Sequence, residues 1–462
     1  MKHNVTINGR IVSVNDGTLL SDILDIDKPC GGRGSCGKCR AFVDGNDVLA
    51  CSYTVCSDIT VTLPTAGSTV AVAGIEIGAG DRGRLCYVLD IGTTTLVLAL
   101  VSLDEKRAVR VITADNPQRK FGADVITRID YCIKNSVAEL HASLVGEINR
   151  MIEKAGAVAD RLFATGNTTM LHTLFGIDIS SIGIAPYTPA FLSSKAVSAS
   201  SIGISGVREV FSLPSVSAFI GADIVSGLHL LGVPEAKKYN LLIDLGTNAE
   251  IVLYSPEGGL ATAAAAGPCF EGANISCGMS ARQGAICSFK LNEGRAEYKT
   301  IEDTEPVGIC ASGLIDIVSE LLKNGIIDET GYMDDDYEIA DGVRLSREDV
   351  RQYQLAKSAV YSAILSLMRS SGIDFSSIER VYISGGFSAA LNLSSAKCSG
   401  LIPSELTDKA AAIGNSSLAG AVKFACDGGR LDELCGRIKY TDLSSSAYFS
   451  ELFIENMLFN AP

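Results

Sequence analysis

The residues VTINGRIVSV near the start alternate apolar and polar side chains, a period of two that sets one face of a strand pair into a core. The alternation returns in DITVTLP, so residues 1–63 read as a small β-rich domain. From Pro64 to Arg84 the run PTAGSTVAVAGIEIGAGDRGR is rich in Gly, Ala, Ser and Thr and poor in long apolar side chains, which predicts a linker over 64–84. Past it, short apolar strands alternate with longer helical periods, as in HASLVGEINRMIEKAGAVADRLF and QYQLAKSAVYSAILSLMRSSG. Residues 85–462 therefore read as α/β.

That second region repeats itself. LDIGTTTLVLALV (89–101) aligns with IDLGTNAEIVLY (243–254) at Asp90/Asp244, Gly92/Gly246 and Thr93/Thr247. A helical stretch leading into RLFATGNTTML (161–171) matches another leading into RVYISGGFSAAL (380–391), with Gly166 opposite Gly385. Two pairs in the same order predict two similar lobes, about 85–235 and 236–462, with a cleft between them.

Each copy runs from an apolar strand through Asp and an x-Gly-Thr turn into a second strand. Glycine lets the backbone approach a ligand, Thr hydroxyls and amides donate to phosphate oxygens, and the Asp orders Mg²⁺ or a water. The alternative is a tight turn between core strands. A nucleotide phosphate chain is gripped if the two tips face each other, and Ile383-Ser384-Gly385-Gly386-Phe387 adds a further glycine turn. The segment GPCFEGANISCG is open to two readings, a working loop or a crossover packed under the cleft. Asp124 reads either as a helix N-cap before VITRI or as a catalytic base.

Cysteine chemistry concentrates near the N-terminus. Cys30, Cys36 and Cys39 stand in CGGRGSCGKCR and Cys51 follows in LAC, an arrangement that reads as the loop of a plant-type [2Fe–2S] cluster. Thiolates bind iron, and glycines 31, 32, 34 and 37 allow amides to approach the sulfides. Five residues separate Cys30 from Cys36, where the usual spacing has four. Zinc ribbons present two C-x2-C knuckles and a Rieske centre needs paired histidines; only one knuckle and an isolated His3 are present. Cys56 is the fallback for the fourth ligand. Cys269, Cys277, Cys287, Cys310 and Cys398 are scattered and read as structural thiols.

Composition narrows the rest. A formal charge of −14 without a basic cluster excludes a nucleic-acid partner. Asp90 interrupts the longest apolar stretch, so no membrane span is expected. Fourteen cysteines in 462 residues fall short of a disulfide scaffold, and with no apolar leader the chain reads as cytoplasmic. Four histidines and no H-E-x-x-H run leave little for histidine-based metal chemistry.

DIGTTT, DLGTNAE and ISGGFSAAL resemble the two phosphate motifs and the adenosine motif of the ASKHA superfamily of acetate and sugar kinases, Hsp70 and actin. The resemblance implies a duplicated, two-lobed actin-like ATPase after a ferredoxin-like head. It puts Asp90, Gly92, Thr93, Thr94 and Thr95 in the first phosphate loop, Asp244, Gly246, Thr247 and Asn248 in the second, and Gly385, Gly386 and Phe387 beside adenosine, with Asp90 and Asp244 catalytic. It also casts 164–170 and 411–421 as connecting segments. NPQRKFGADVITRI (116–129), AGPCFEGANISCGMSARQGAI (266–286) and GICASGLIDIV (308–318), joined to the cysteine head, resemble one family: the reductive activators of corrinoid-dependent enzymes. Cys269 and Ala311 depart from its pattern.

The family resemblance implies one-electron transfer from a [2Fe–2S] cluster to Co(II) of a corrinoid protein, restoring Co(I) for methyl transfer at the expense of ATP and Mg²⁺. It implies a corrinoid protein of a methyltransferase system and an upstream low-potential electron donor as partners, and leaves a homodimer open. Two other readings stand beside it: an ATP-driven donor to another low-potential metalloenzyme, and a small-molecule kinase with a redox-sensing head and Asp124 as base.

Overall fold

The computed structural model describes residues 2–7, 10–24, 26, 39–62, 78, 83–122, 124–233 and 238–459. Cys30, Cys36 and all of the expected linker 64–84 except residues 78, 83 and 84 lie outside them.

The alternating N-terminal residues form the hairpin Lys2–Ile7 and Arg10–Asn15. Its inner strand pairs in parallel with Ile59–Thr62, and the five-stranded sheet continues through Arg40–Val43 to Asn46–Leu49. Val5, Leu20, Ala41, Val55 and Val61 are fully buried between its faces, together with Cys39 and Cys51.

Two six-stranded sheets follow, and five strands of each share one plan. In the first, Leu85–Ile91 turns back as Thr95–Ser102 and again as Arg107–Asp115, all antiparallel. On its other edge it pairs in parallel with Arg161–Gly166, which pairs in parallel with Glu209–Ser212. In the second, Tyr239–Leu245, Ala249–Ser255, Gly258–Ala264, Ile378–Ser384 and Ala410–Gly414 take the same places with the same directions. Leu85–Ile91 is apolar almost throughout because both its faces are covered, whereas the edge strand Arg107–Asp115 buries only Ala108 and Ile112.

Helices cover the faces where the apolar period predicts them. Val137–Ala155 buries Leu140, Leu144, Ile148, Met151 and Ile152 along one stripe, starts under the Ser136 cap and stops at Gly156 in the left-handed region. Arg347–Ser370 begins at a capping box between Ser346 and Asp349.

The fifth strand of each half leads to a helix, Ala222–Leu230 or Ser416–Asp427, and the two helices pack on each other. Their contact tolerates only small residues: a Cβ at Gly227 would lie 2.7 Å from Ser416 Oγ, and one at Gly420 would overlap the Ser226 carbonyl. Segment 411–421 thus supplies one crossing helix. Its partner is 222–230 and not 164–170, which instead closes Arg161–Gly166 and opens the helix Thr168–Leu174.

Candidate functional site

Both hairpins carry an aspartate one residue before the end of their first strand. Asp90 is 9% exposed and accepts from Asn415 Nδ2 and Ser417 Oγ, each at 2.9 Å; burial lifts its carboxyl to about 6 against those two donors. Asp244 accepts from Ser384 Oγ, and burial raises it too. A glycine stands at or just after the end of the strand beside each aspartate for a steric reason. A Cβ at Gly166 (φ 148°) would sit 2.6 Å from the Ile91 carbonyl oxygen, and one at Gly385 (φ 113°) would strike the matching carbonyl of Leu245.

The turns Gly92–Thr94 and Gly246–Asn248 open into one cavity of about 1420 Å³. Its walls include Asp90, Gly92, Thr93, Thr94 and Thr95, Asp244, Gly246, Thr247 and Asn248, and Gly385, Gly386 and Phe387, so every residue predicted for the two phosphate loops and the adenosine motif reaches one space. Phe387 is buried, with its ring 5.7 Å from that of Phe270, and forms the wall from within the core.

The cavity holds acidic residues that the motifs do not announce. Asp223, at the start of the crossing helix of the first half, is pushed up to about 7 by burial and by Asp244 and Asp90. Glu250 is raised well above its ordinary value by burial, Asp223 and Asp244. Four carboxylates that repel one another form a place for positive charge. Among the described residues no group of three or more His, Cys, Asp or Glu side chains is set to hold a metal ion alone. One signal for Asp223 stood in the sequence: GADIVSG (221–227) mirrors GNSSLAG (414–420), glycine for glycine across the two halves.

The first turn is held from behind by NPQRKFGADVITRI. Asn116 Nδ2 donates to the Gly92 carbonyl at 2.8 Å, the Asn116 amide to Thr94 O at 2.8 Å, and Arg128 Nη2 to Thr93 O at 2.5 Å. Arg128 is fully buried and also donates from Nε to Gly122 O at 2.9 Å; burial and the nearby Arg119 lower its guanidinium to about 10, still charged at neutral pH. Three consecutive carbonyls of the turn are thereby fixed. Asp124 caps the helix Val125–Lys134, accepting from the Thr127 amide at 2.8 Å. The second turn is held differently, by Glu271 of GPCFEGANISCG, whose Oε1 accepts from the Thr247 amide at 3.0 Å and the Thr247 hydroxyl at 2.7 Å.

In the N-terminal sheet, Cys39 and Cys51 lie side by side. The Cys51 amide donates to Cys39 Sγ at 3.5 Å and the Ala50 amide to the Cys39 carbonyl at 2.7 Å, while Cys56 is exposed. Amide-to-sulfur donation of this kind is what metal-bound thiolates use. Cys269 and Cys310 are buried in the second half.

Two sequence profiles of one family cover the chain in succession: the RACo middle region over residues 85–236, and the C-terminal domain of RACo, the ASKHA domain, over 238–461. The chain belongs to the family of reductive activators of corrinoid-dependent enzymes. Its duplicated sheets are the ASKHA, actin-like fold. Among solved structures the activator fold recurs in a "Reductive activator for corrinoid,iron-sulfur protein", with a TM-score of 0.75 and 25% identity over 99% of this chain and 98% of that one. Curated relatives of this activator include the "Corrinoid activation enzyme RamQ" of Eubacterium limosum, 27% identical over 83% of this chain and 72% of the relative. Another is the "[Co(II) methylated amine-specific corrinoid protein] reductase" of Methanosarcina barkeri, 26% identical over 75% and 71%. No helix among the activator's described residues is long and apolar enough to cross a membrane.

Proposed function

We propose that the chain is an ATP-dependent reductive activator that passes one electron to Co(II) of a corrinoid protein and restores Co(I). The observation that carries the reading is the convergence of Asp90, Asp244, both Gly-Thr turns and Gly385–Phe387 on one cavity, in a chain whose relatives are named for corrinoid activation and Co(II) reduction.

Thr93, Thr94, Thr247 and Asn248 supply hydroxyl, amide and carboxamide donors for the phosphates of ATP. Asp90, Asp244, Asp223 and Glu250 line the same cavity. Their oxygens suit Mg²⁺, which is usually held through one or two carboxylates, phosphate oxygens and water. Asp90 is hydrogen-bonded to Asn415 and Ser417 at the start of a crossing helix, so its ionisation and its cation bear on how the halves sit together.

A [2Fe–2S] cluster on Cys30, Cys36, Cys39 and Cys51 supplies one electron at a time, as the Co(II)/Co(I) change requires. Cys39 and Cys51 fit two of its four positions: both are buried, and the Cys51 amide approaches the Cys39 sulfur. The thiol-rich chain fits a reducing compartment, the cytoplasm.

Reduction of Co(II) is uphill from an ordinary ferredoxin-like donor, and nucleotide energy closes the gap. A conformational bias of about 5.5 kcal/mol is equivalent to roughly 240 mV for one electron. ATP then favours the lobe arrangement that binds the Co(II) partner, and hydrolysis releases it.

The test is ATP hydrolysis with a cognate corrinoid protein presented as Co(II) or as Co(I). The rate rises with the Co(II) form and stays basal with the Co(I) form. Equal rates with both forms overturn the reading.

A further inference from the structure

Glu271 sits where a phosphate is expected. One carboxylate oxygen, Oε1, takes both the amide and the hydroxyl of Thr247, the two donors that make x-Gly-Thr a phosphate turn. The same oxygen lies 3.7 Å from where a Cβ of Gly246 would be, so the carboxylate rests on the turn itself, on the side that lines the cavity. Among the described residues the first turn has no equivalent: its carbonyls are clamped by Asn116 and Arg128, and its counterpart threonine, Thr93, meets Asn167 Nδ2 at 3.3 Å. The two halves share five strands of each sheet and differ at this point.

We infer that Glu271 is an internal anion on the second phosphate turn, which the phosphates of a bound nucleotide must displace, so that this residue sets nucleotide affinity. The inference rests on the nucleotide reading of the cleft. Two anions cannot share one pair of donors without repulsion, and the side chain has room to leave. Glu271 ends the short 3₁₀ turn Pro268–Glu271, flanked by Gly267 and Gly272, both in the left-handed region at φ 77° and 76°. Beyond it the chain is tied down where the Ser276 amide donates to Asp349 Oδ1 at 2.7 Å. Cys269, Phe270 and Ile275 around it are buried, so displacement falls to the Glu271 side chain, which faces the cavity. Phe270, next to Glu271, packs on Phe387 across the cavity wall, so the exchange of carboxylate for phosphate reaches the predicted adenosine side as well.

The experiment is isothermal titration of the full-length protein and its Glu271→Gln variant with ATP, ADP and adenosine, each with and without Mg²⁺. Gln keeps the size and the acceptor oxygen while removing the charge. E271Q is expected to bind ATP and ADP about tenfold more tightly, equivalent to about 1.4 kcal/mol, and adenosine no differently. Should E271Q fail to fold, Glu271→Asp keeps the charge on a side chain one methylene shorter and is expected to give a smaller gain in the same direction. Unchanged ATP affinity overturns the inference and leaves the nucleotide cleft standing. ATP affinity that falls only when Mg²⁺ is present also overturns it, because Glu271 is then a cation ligand. If the unaltered protein binds no nucleotide, the cleft reading falls and the inference with it.

Discussion

Ser417 donates a hydrogen bond to Asp90 at 2.9 Å across 327 residues of sequence, from the crossing helix of one half to the hairpin tip of the other. Asn415 donates to the second oxygen of the same carboxylate. The aspartate that begins the first Gly-Thr turn is therefore held by the second half, so the contact between the halves and the wall of the cavity share one carboxyl group.

Both donors favour the ionised form and oppose the burial that lifts Asp90 to about 6. Ser417→Ala removes one of them and leaves burial unchanged. The Asp90 carboxyl then titrates higher, and the acid limb of the ATP-hydrolysis profile moves to higher pH with little change on the alkaline side. A pH–rate profile of S417A beside the unaltered protein checks this; coincident acid limbs would remove Asp90 from the chemistry.

The acidic cavity also costs stability at neutral pH. Asp90 at about 6 and Asp223 at about 7 both lie above the ordinary aspartate value of 3.8, so the folded protein binds protons that the unfolded chain has released. Stability from these two groups is therefore greatest below pH 3.8 and declines as pH rises through 6 and 7, where folding must hold unwelcome charge. Asp223→Asn removes one of those charges. Its thermal midpoint is expected to exceed that of the unaltered protein by several degrees at about pH 8, the gain shrinking to nothing by about pH 4. Calorimetry at both pH values decides.

Arg128 spends a buried charge on carbonyl groups, among them Thr93 O of the first phosphate turn. Arg128→Met keeps the volume but strands those carbonyls and frees the turn. ATP affinity is expected to fall about tenfold while adenosine affinity holds, the separation that marks a positioning residue for phosphate. Equal loss for both ligands would mean a general loss of fold, and no loss would mean that Asn116 alone holds the turn.

The duplicated hairpins were legible because their chemistry is local: an apolar strand, an aspartate and a Gly-Thr turn each occupy neighbouring positions, as at Asp90–Thr93 and Asp244–Thr247. Gly166 and Gly385 were legible as a pair for the same reason, although their cause, a carbonyl packed against each, emerges only in three dimensions. The partner of the helix Ser416–Asp427 was not. Its tie to the first half is a small-residue contact between Gly227 and Gly420, which leaves almost no shared identity beyond two glycines. Glu250, Glu271 and Arg128 meet the motif residues through tertiary contacts alone, so no spacing along the chain marks them, and Asp223 is marked only by the two glycines that its helix shares with 414–420. Cys39 and Cys51, which their motif marks as ligands, lie together and Cys56 is exposed, while Cys30 and Cys36 fall outside the described residues.

The central claim is that ATP drives an electron from the cysteine-bound cluster to cobalt. Its most direct test is the ultraviolet–visible spectrum of anaerobic protein mixed with a cognate Co(II) corrinoid protein and a low-potential reductant, followed with and without ATP, for the unaltered chain, Cys51→Ser and Cys56→Ser. The Co(I) band is expected only with ATP, in the unaltered protein and in C56S, and not in C51S, which also loses the visible cluster absorption. Cobalt that stays Co(II) in every mixture while the cluster bleaches would contradict the account and point to a different electron acceptor.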